Sequence, residues 1–261
     1  MKRFKLGIVL NTIGQPPRIA LHEASRLGIA GVQIDSSGDL SPDVLTTTGR
    51  REFRTLLRSF ELELAAIHCP LRRGLDSSED QQRRIDHIHK VMQFAVDLGS
   101  RLVVVPLPRI PTDATVARAI TLRETLLDLA AFGDRIGVQL ALEVGLDSGE
   151  TVRDYLGGFD TGGLAVTFDP ANFLLNGFDP LTSLASLAGR IAYTQARDAR
   201  TTTVSGGGKE VPVGAGDLEW MIYMATLEAT DYRGFITVDR EDGTTRFADV
   251  IAGVGFLRRF V

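Results

Sequence analysis

The sequence predicts a single-domain (β/α)8 barrel, the TIM-barrel fold, over residues 1–261. Short apolar runs alternate with amphipathic segments along the whole chain, and eight such runs fit into the 261 residues. A (β/α)8 barrel typically has about 250 residues. In the second half of the chain the runs are almost continuously apolar and rich in Val, Ile and Leu, which is typical of parallel strands covered on both faces.

The predicted elements follow from these runs. The strands begin near Phe4, Gly31, Leu64, Leu102, Val138, Leu164, Ile191 and Gly234. Helical patterns cover residues 19–27, 50–60, 81–98, 115–136, 180–187, 218–229 and 247–260. Residues 201–209 (TTTVSGGGK) are predicted to form a mobile loop after the seventh strand. A doubly wound sheet is the alternative, but LNTIGQPP after the first strand does not match G-x-G-x-x-G.

Composition and net charge indicate which partners and which cell compartment to expect. A net charge of −4 favours neither nucleic acid nor an anionic membrane as a partner. The single cysteine, Cys69, cannot form an internal disulfide, which suits a reducing cytoplasm. The apolar run of residues 6–10 is too short for a signal peptide and is interrupted by Gly7. We therefore expect a soluble, cytoplasmic protein.

Four apolar runs end on an oxygen-bearing side chain: LALE, LAVTFD, IAYTQ and FITVD end at Glu143, Asp169, Gln195 and Asp239. In this fold the carboxyl ends of the strands converge on the active site. Three carboxylates and an amide are hard ligands, better suited to Mg²⁺ or Mn²⁺ than to zinc. Clustered carboxylates also repel one another unless a cation lies between them.

Each of these residues also has a structural interpretation. Asp169 precedes Pro170, so it could cap a helix or pair with an arginine. Asp239 lies in VDRED, where Arg240 is a possible partner. His68 ends the third strand in AAIHCP, and we expect it to contact substrate. Its neighbour Cys69 is not expected to act as a nucleophile.

Six stretches carry a family resemblance: AAIHCP, LALEVG, TFDPANFLLNGFDP, IAYTQARDAR, KEVPVGAGDLEW and YRGFITVDRE. Together they resemble the xylose isomerase-like barrel superfamily, and specifically its sugar (phosphate) isomerase/epimerase branch. The resemblance extends over essentially the whole chain. It implies a metal-dependent sugar enzyme of carbohydrate metabolism.

By this resemblance Glu143 and Asp169 keep metal-ligand positions. Gln195 stands where the family has a histidine, and Asp239 stands where it has a glutamate. A glutamine is a weaker ligand than imidazole for a transition metal, and the shorter Asp239 changes the ligand distance. We therefore predict a weaker and harder site that favours Mn²⁺ or Mg²⁺ over zinc, or one that is empty as purified.

The resemblance also implies how substrate binds. Arg197 replaces the lysine of the H-x-K-D signature, and Asn172 stands where ketose epimerases often have a substrate-contacting histidine. We expect these two residues and His68 to bind substrate. Asp198, the last residue of the signature, is kept.

The implied reaction is the isomerisation or epimerisation of a sugar, sugar phosphate or polyol through a cis-enediolate. Glu143 and Asp239 would transfer the proton as catalytic acid and base. One alternative is a lyase or dehydratase of the same superfamily, and another is a non-catalytic sugar-binding barrel with a decayed metal site. A zinc endonuclease is disfavoured because the chain has only 4 histidines. A homo-oligomer is possible.

Overall fold

Eight parallel strands close into a barrel in the computed structural model, which describes residues 4–202 and 207–261. Around the barrel the strands follow the order β1-β10-β7-β6-β5-β4-β3-β2, and β8 and β9 pair separately. The bounds are β1 Lys5–Val9, β2 Gly31–Asp35, β3 Glu63–His68, β4 Leu102–Pro106, β5 Gln139–Glu143, β6 Leu164–Phe168, β7 Ile191–Ala196, β8 Asp198–Thr201, β9 Gly208–Val211 and β10 Phe235–Val238. The predicted fold and its eight strands are confirmed.

Helices connect the strands in the order that the sequence predicts. They are α1 Pro17–Arg26, α2 Thr47–Ser59, α3 Gln81–Leu98, α4 Ala117–Ile136, α5 Gly149–Gly157, α6 Pro170–Leu175, α7 Pro180–Ser186, α8 Trp220–Ala229 and α9 Arg246–Leu257. Single 3₁₀ turns lie at Leu10–Ile13, Gly38–Leu40 and Arg258–Phe260. The sequence patterns missed α5 and α6, because α5 has glycines at both ends and α6 has only 6 residues. Within the described residues, no helix combines the length and the apolar character needed to cross a membrane.

The segment after β7 differs from the prediction. Part of the predicted loop of residues 201–209 is strand: Thr201 ends β8, and Gly208 and Lys209 begin β9. The two strands pair antiparallel, with Asp198 opposite Val211 and Thr201 opposite Gly208. Residues 203–206 lie outside the described part of the chain. The prediction overlooked the hairpin because its strands, DART and GKEV, carry no apolar run.

The barrel interior explains why strand ends converge. A small core cluster includes Ala66, Ala141 and Tyr193, and the Tyr193 hydroxyl donates to Thr237 Oγ1 across 2.6 Å. Side chains two residues apart in a strand share a face. The next inward positions toward the carboxyl ends are therefore His68, Glu143, Gln195 and Asp239.

Candidate active site at the barrel mouth

Asp169 follows β6, is fully buried, and uses both carboxylate oxygens. Its Oδ1 accepts from the backbone N–H groups of Ala171 at 2.9 Å and Asn172 at 3.4 Å, which caps the first turn of α6. Its Oδ2 accepts from Arg197 Nη1 at 2.5 Å. The structural interpretation of this residue, as a helix cap and an arginine partner, is therefore confirmed.

Arg197 lies in the connection between β7 and β8, where it is 3% exposed, and it holds four partners. Besides Asp169, its Nε donates to Glu210 Oε1 at 3.0 Å and its Nη1 donates to Asn172 Oδ1 at 3.3 Å. Its Nη2 lies 2.9 Å from Glu241 Oε2. Burial by itself lowers the Arg197 pKa. The negative charges of Asp169, Glu241 and Glu210 together have the larger effect and raise it. The guanidinium is therefore a permanent cation, fixed among three carboxylates.

Glu143, at the end of β5, is linked to this cation through Asn172. Asn172 Nδ2 donates to Glu143 Oε1 at 3.0 Å, while Oδ1 of the same amide accepts from Arg197. Burial raises the Glu143 pKa, and the charge of Asp169 raises it further, with partial opposition from His68 and Arg197. A carboxylate whose pKa is raised is a stronger base, which suits a group that accepts a proton and returns it.

Asp239 directly follows β10 and is buried. Its Oδ1 accepts from the backbone N–H of Arg240 at 2.7 Å and from Thr12 Oγ1 at 3.2 Å. Burial raises the Asp239 pKa against the opposing effects of Arg197 and these hydrogen bonds. The side chain of Arg240, the partner considered for Asp239, instead forms ion pairs with Glu210 at 2.9 Å and Asp249 at 3.0 Å.

His68, at the end of β3, pairs with Asp35 at the end of β2. The distance from His68 Nδ1 to Asp35 Oδ1 is 3.1 Å. Burial lowers the His68 pKa, but the hydrogen bond and charge of Asp35, with the charge of Glu143, raise it overall. With Nδ1 facing Asp35, Nε2 is the ring nitrogen that remains for a ligand.

Gln195 is 2% exposed in β7, and its Oε1 has no hydrogen-bond partner within the described residues. A buried amide oxygen without a donor costs free energy, on the order of 1–3 kcal/mol. Cys69, next to His68, is fully buried, and burial raises its thiol pKa to about 12. Burial therefore favours the neutral thiol over the nucleophilic thiolate.

Sequence reasoning gave no role in the site to Asp35, Glu210 or Glu241, and it considered Arg240 only as a partner of Asp239. Glu210 holds Arg197 and also accepts from the backbone N–H groups of Glu241 at 3.2 Å and Asp242 at 2.8 Å. It is 5% exposed although it belongs to the hairpin, outside the barrel strands. Glu210 could have been found from the sequence, because it lies in KEVPVGAGDLEW, one of the stretches that carry the family resemblance.

The predicted metal ligands do not fit an ion centre in this arrangement. Among residues 4–202 and 207–261, no three His, Cys, Asp or Glu side chains are grouped so that they could hold an ion. Both oxygens of Asp169 already accept from protein donors. An ion at Asp169 would also lie beside the Arg197 guanidinium, and the like charges would repel.

Comparison with other proteins places the chain in a family. Residues 21–260 match the family described as xylose isomerase-like TIM barrel. The chain belongs to this family. None of the curated proteins matches it by sequence.

Solved structures share the fold of this family member. A xylose isomerase domain protein from Planctomyces limnophilus aligns with a TM-score of 0.88 and 21% identity, over 99% of this chain and 98% of that one. A D-tagatose 3-epimerase-like protein gives 0.80 and 17%, over 98% and 97% of the two chains. A xylose isomerase-like TIM barrel protein from Mycobacterium smegmatis, in complex with magnesium, gives 0.77 and 14%, over 98% and 96%.

Proposed function

We propose that this protein is an isomerase or epimerase of sugars or sugar-like polyols, with Glu143 as its principal acid–base group. The observation that carries the proposal is the setting of Glu143. Its carboxyl group lies at a strand end, is oriented by Asn172, and has a raised pKa. The family membership and the structural similarity to a D-tagatose 3-epimerase-like protein support the same reaction class.

In the proposed reaction, Glu143 removes the proton from the carbon beside the substrate carbonyl. The C–H electron pair forms the enediolate double bond, and the carbonyl π electrons move to oxygen. The His68 imidazolium, oriented by Asp35, donates to this oxygen and stabilises its charge. Asp239 then returns a proton to the opposite face of the same carbon, giving the epimer. Return by Glu143 to the neighbouring carbon gives the isomer. In that case the former carbonyl oxygen takes the proton of His68, and the hydroxyl on the first carbon gives its proton to the neutral imidazole as its oxygen becomes the new carbonyl.

Arg197 has a positioning role in this proposal. It holds Asn172, which orients Glu143, and its charge reduces repulsion among the acids of the mouth. The fixed guanidinium therefore provides part of the electrostatic balance that a divalent cation would provide.

A second candidate retains Mn²⁺ or Mg²⁺ at Glu143, Asp169, Gln195 and Asp239. The unpartnered oxygen of buried Gln195 favours this version. It requires Arg197 to leave Asp169, because the two side chains are ion-paired at 2.5 Å. A bound divalent cation would supply Lewis-acid polarisation of the carbonyl.

Deuterium exchange tests the reaction. Chelator-treated enzyme is incubated in D₂O with a panel of ketoses, and NMR follows loss of the proton beside the carbonyl. We expect exchange with at least one ketose, and Glu143→Gln should lower its rate about 100-fold or more. Glu124→Gln is the matched control on the exposed side of α4 and should leave the rate unchanged. No exchange with any sugar, with or without added Mn²⁺, would overturn the proposal.

Calorimetric titration with Mn²⁺ separates the two candidates. We expect no binding to the wild-type protein at submillimolar Mn²⁺ and measurable binding to Arg197→Met, in which Asp169 and Glu210 lose their cation. Wild-type binding at micromolar Mn²⁺, with exchange that depends on the metal, would select the metal-dependent version.

A further inference from the structure

A basic cavity of about 450 Å³ lies between the loop after β3 and the first turns of α3. This volume is within the range of small-molecule sites, about 300–1,000 Å³. The ionisable side chains that line it are four arginines, one histidine and one aspartate: Arg72, Arg73, Arg83, Arg84, His87 and Asp80. We call it the arginine pocket.

Arg84 is the buried cation of the arginine pocket, 8% exposed. Its Nη1 donates to the carbonyl oxygen of Glu79 at 3.0 Å, and its Nη2 donates to that of Ser77. Its Nε has no hydrogen-bond partner, and no carboxylate in the described part of the chain pairs with its guanidinium. Burying a charged guanidinium whose partners are all neutral costs free energy. Arg84 therefore lacks a counter-ion.

The other ionisable groups of the lining are mostly cationic, with Asp80 as the one acid. Arg73 is neutralised by Glu79 at 2.6 Å, but Arg72 and Arg83 are exposed and form no ion pair within the described residues. The 18-residue helix α3 begins at Gln81 without a side-chain cap from Asp80. Its first backbone N–H groups carry the positive end of the helix dipole toward the pocket.

The arginine pocket adjoins the candidate active site along the chain. Strand β3 ends at His68, and the pocket lining starts at Pro70, two residues later. Because β3 leads through this loop into α3, the pocket lies at the carboxyl-end rim of the barrel, where ligands of this fold bind.

We propose that the arginine pocket binds the phosphate group of a small phosphate ester. Planar guanidinium groups match phosphate oxygens in paired hydrogen bonds, and those of Arg72 and Arg83 are exposed in the pocket lining. Resting on the proposed function, this makes the substrate a sugar phosphate in preference to a free sugar.

Binding measurements test the pocket without any need for catalysis. Calorimetry compares a ketose 5-phosphate with the same ketose lacking the phosphate, and inorganic phosphate serves as the minimal probe. We expect the phosphate ester to bind wild-type protein at least about tenfold more tightly than the free ketose. The double variant Arg72→Gln with Arg83→Gln should lose that preference, and it keeps the Arg84 hydrogen bonds that hold the loop.

The matched control is Arg135→Gln, which removes an exposed arginine at the last turn of α4, on the opposite end of the barrel. It should keep the preference for the phosphate ester. Equal binding of ester and free ketose, or a preference that survives the double variant, would overturn the inference. Ester binding that depends on Arg72 and Arg83, without deuterium exchange on any ketose or ketose phosphate, would uphold the pocket and reject the proposed function.

Discussion

Arg197 and Asp198 are consecutive buried residues with different tasks at the end of β7. Arg197 contacts the carboxylates of the mouth, whereas Asp198 accepts from donors in residues 214–220. Successive side chains of an extended segment point in opposite directions, which explains the division. One residue therefore holds the carboxylates of the mouth together, and the next one anchors a loop.

Asp198 should contribute strongly to stability. Its oxygens accept from the backbone N–H groups of Gly214 at 3.0 Å and Gly216 at 3.1 Å and from Trp220 Nε1 at 2.9 Å. Asp198→Asn places an amide donor among these donors, and we expect the free energy of unfolding to fall by about 3 kcal/mol. Urea denaturation measures the change.

Two comparison variants check the cause of this loss. Trp220→Phe removes one donor and should cost only about 1 kcal/mol, and Asp160→Asn on the exposed surface should be neutral. If the Asp198 and Asp160 variants were equally stable, the anchoring role would be wrong.

At the scale of elements, the β8–β9 hairpin closes one side of the mouth. Glu210 on β9 binds Arg197 from the connection before β8 and the backbone of Glu241 and Asp242 after β10. A single carboxylate therefore ties the hairpin to two barrel connections. The hairpin is part of the candidate site, although its strands do not belong to the barrel.

Replacing Glu210 should loosen the loop after β10. In Glu210→Gln, one oxygen acceptor becomes a donor, and the amide protons of Glu241 and Asp242 should exchange with solvent about 10- to 100-fold faster. Hydrogen exchange followed by NMR measures this directly. Lys209→Gln changes the exposed neighbour on β9 and is the control. Unchanged exchange in Glu210→Gln would show that the hairpin does not hold the loop.

At the scale of the whole molecule, the acids of the mouth control how stability depends on pH. Burial raises the pKa of Glu143 and Asp239 and, with the charges of the other acids, raises that of Glu241 to about 7. The Glu241 side chain is 55% exposed, so solvent screens much of its contribution. The His68 pKa is also raised, through Asp35.

We expect the melting temperature to fall as pH rises from about 5 to about 8. Each of these groups binds its proton more tightly in the folded state, so its stabilisation is complete at low pH and is lost as pH rises through the folded-state pKa. Exposed acids with lowered pKa values are ionised across this window and do not alter the trend: Asp43, Asp113, Asp179 and Asp217.

Calorimetry at constant ionic strength measures this pH profile. Glu241→Gln should flatten the slope between about pH 6 and about pH 8, whereas Glu124→Gln on α4 should not change it. A melting temperature that rises across the window would contradict the assignment of raised pKa values to the mouth.

The sequence by itself determined the barrel and the residues that face its mouth. Parallel strands buried on both faces read as apolar runs, and period-two alternation inside them brings His68, Glu143, Gln195 and Asp239 to one end. The apolar run and the alternation are both properties of a single strand, so each can be recognised in the sequence of that strand alone. The metal and catalytic roles given to these residues remain predictions.

Only the tertiary structure decided which charges meet at the mouth. Arg197 contacts Asp169 from β6, Glu210 from the hairpin and Glu241 from beyond β10, which lie 28, 13 and 44 residues away in sequence. Such contacts depend on barrel closure and side-chain direction, and neither is encoded in a single segment. The short helix α6 and the polar hairpin escaped prediction for the same reason, because their stability comes from partners elsewhere in the chain.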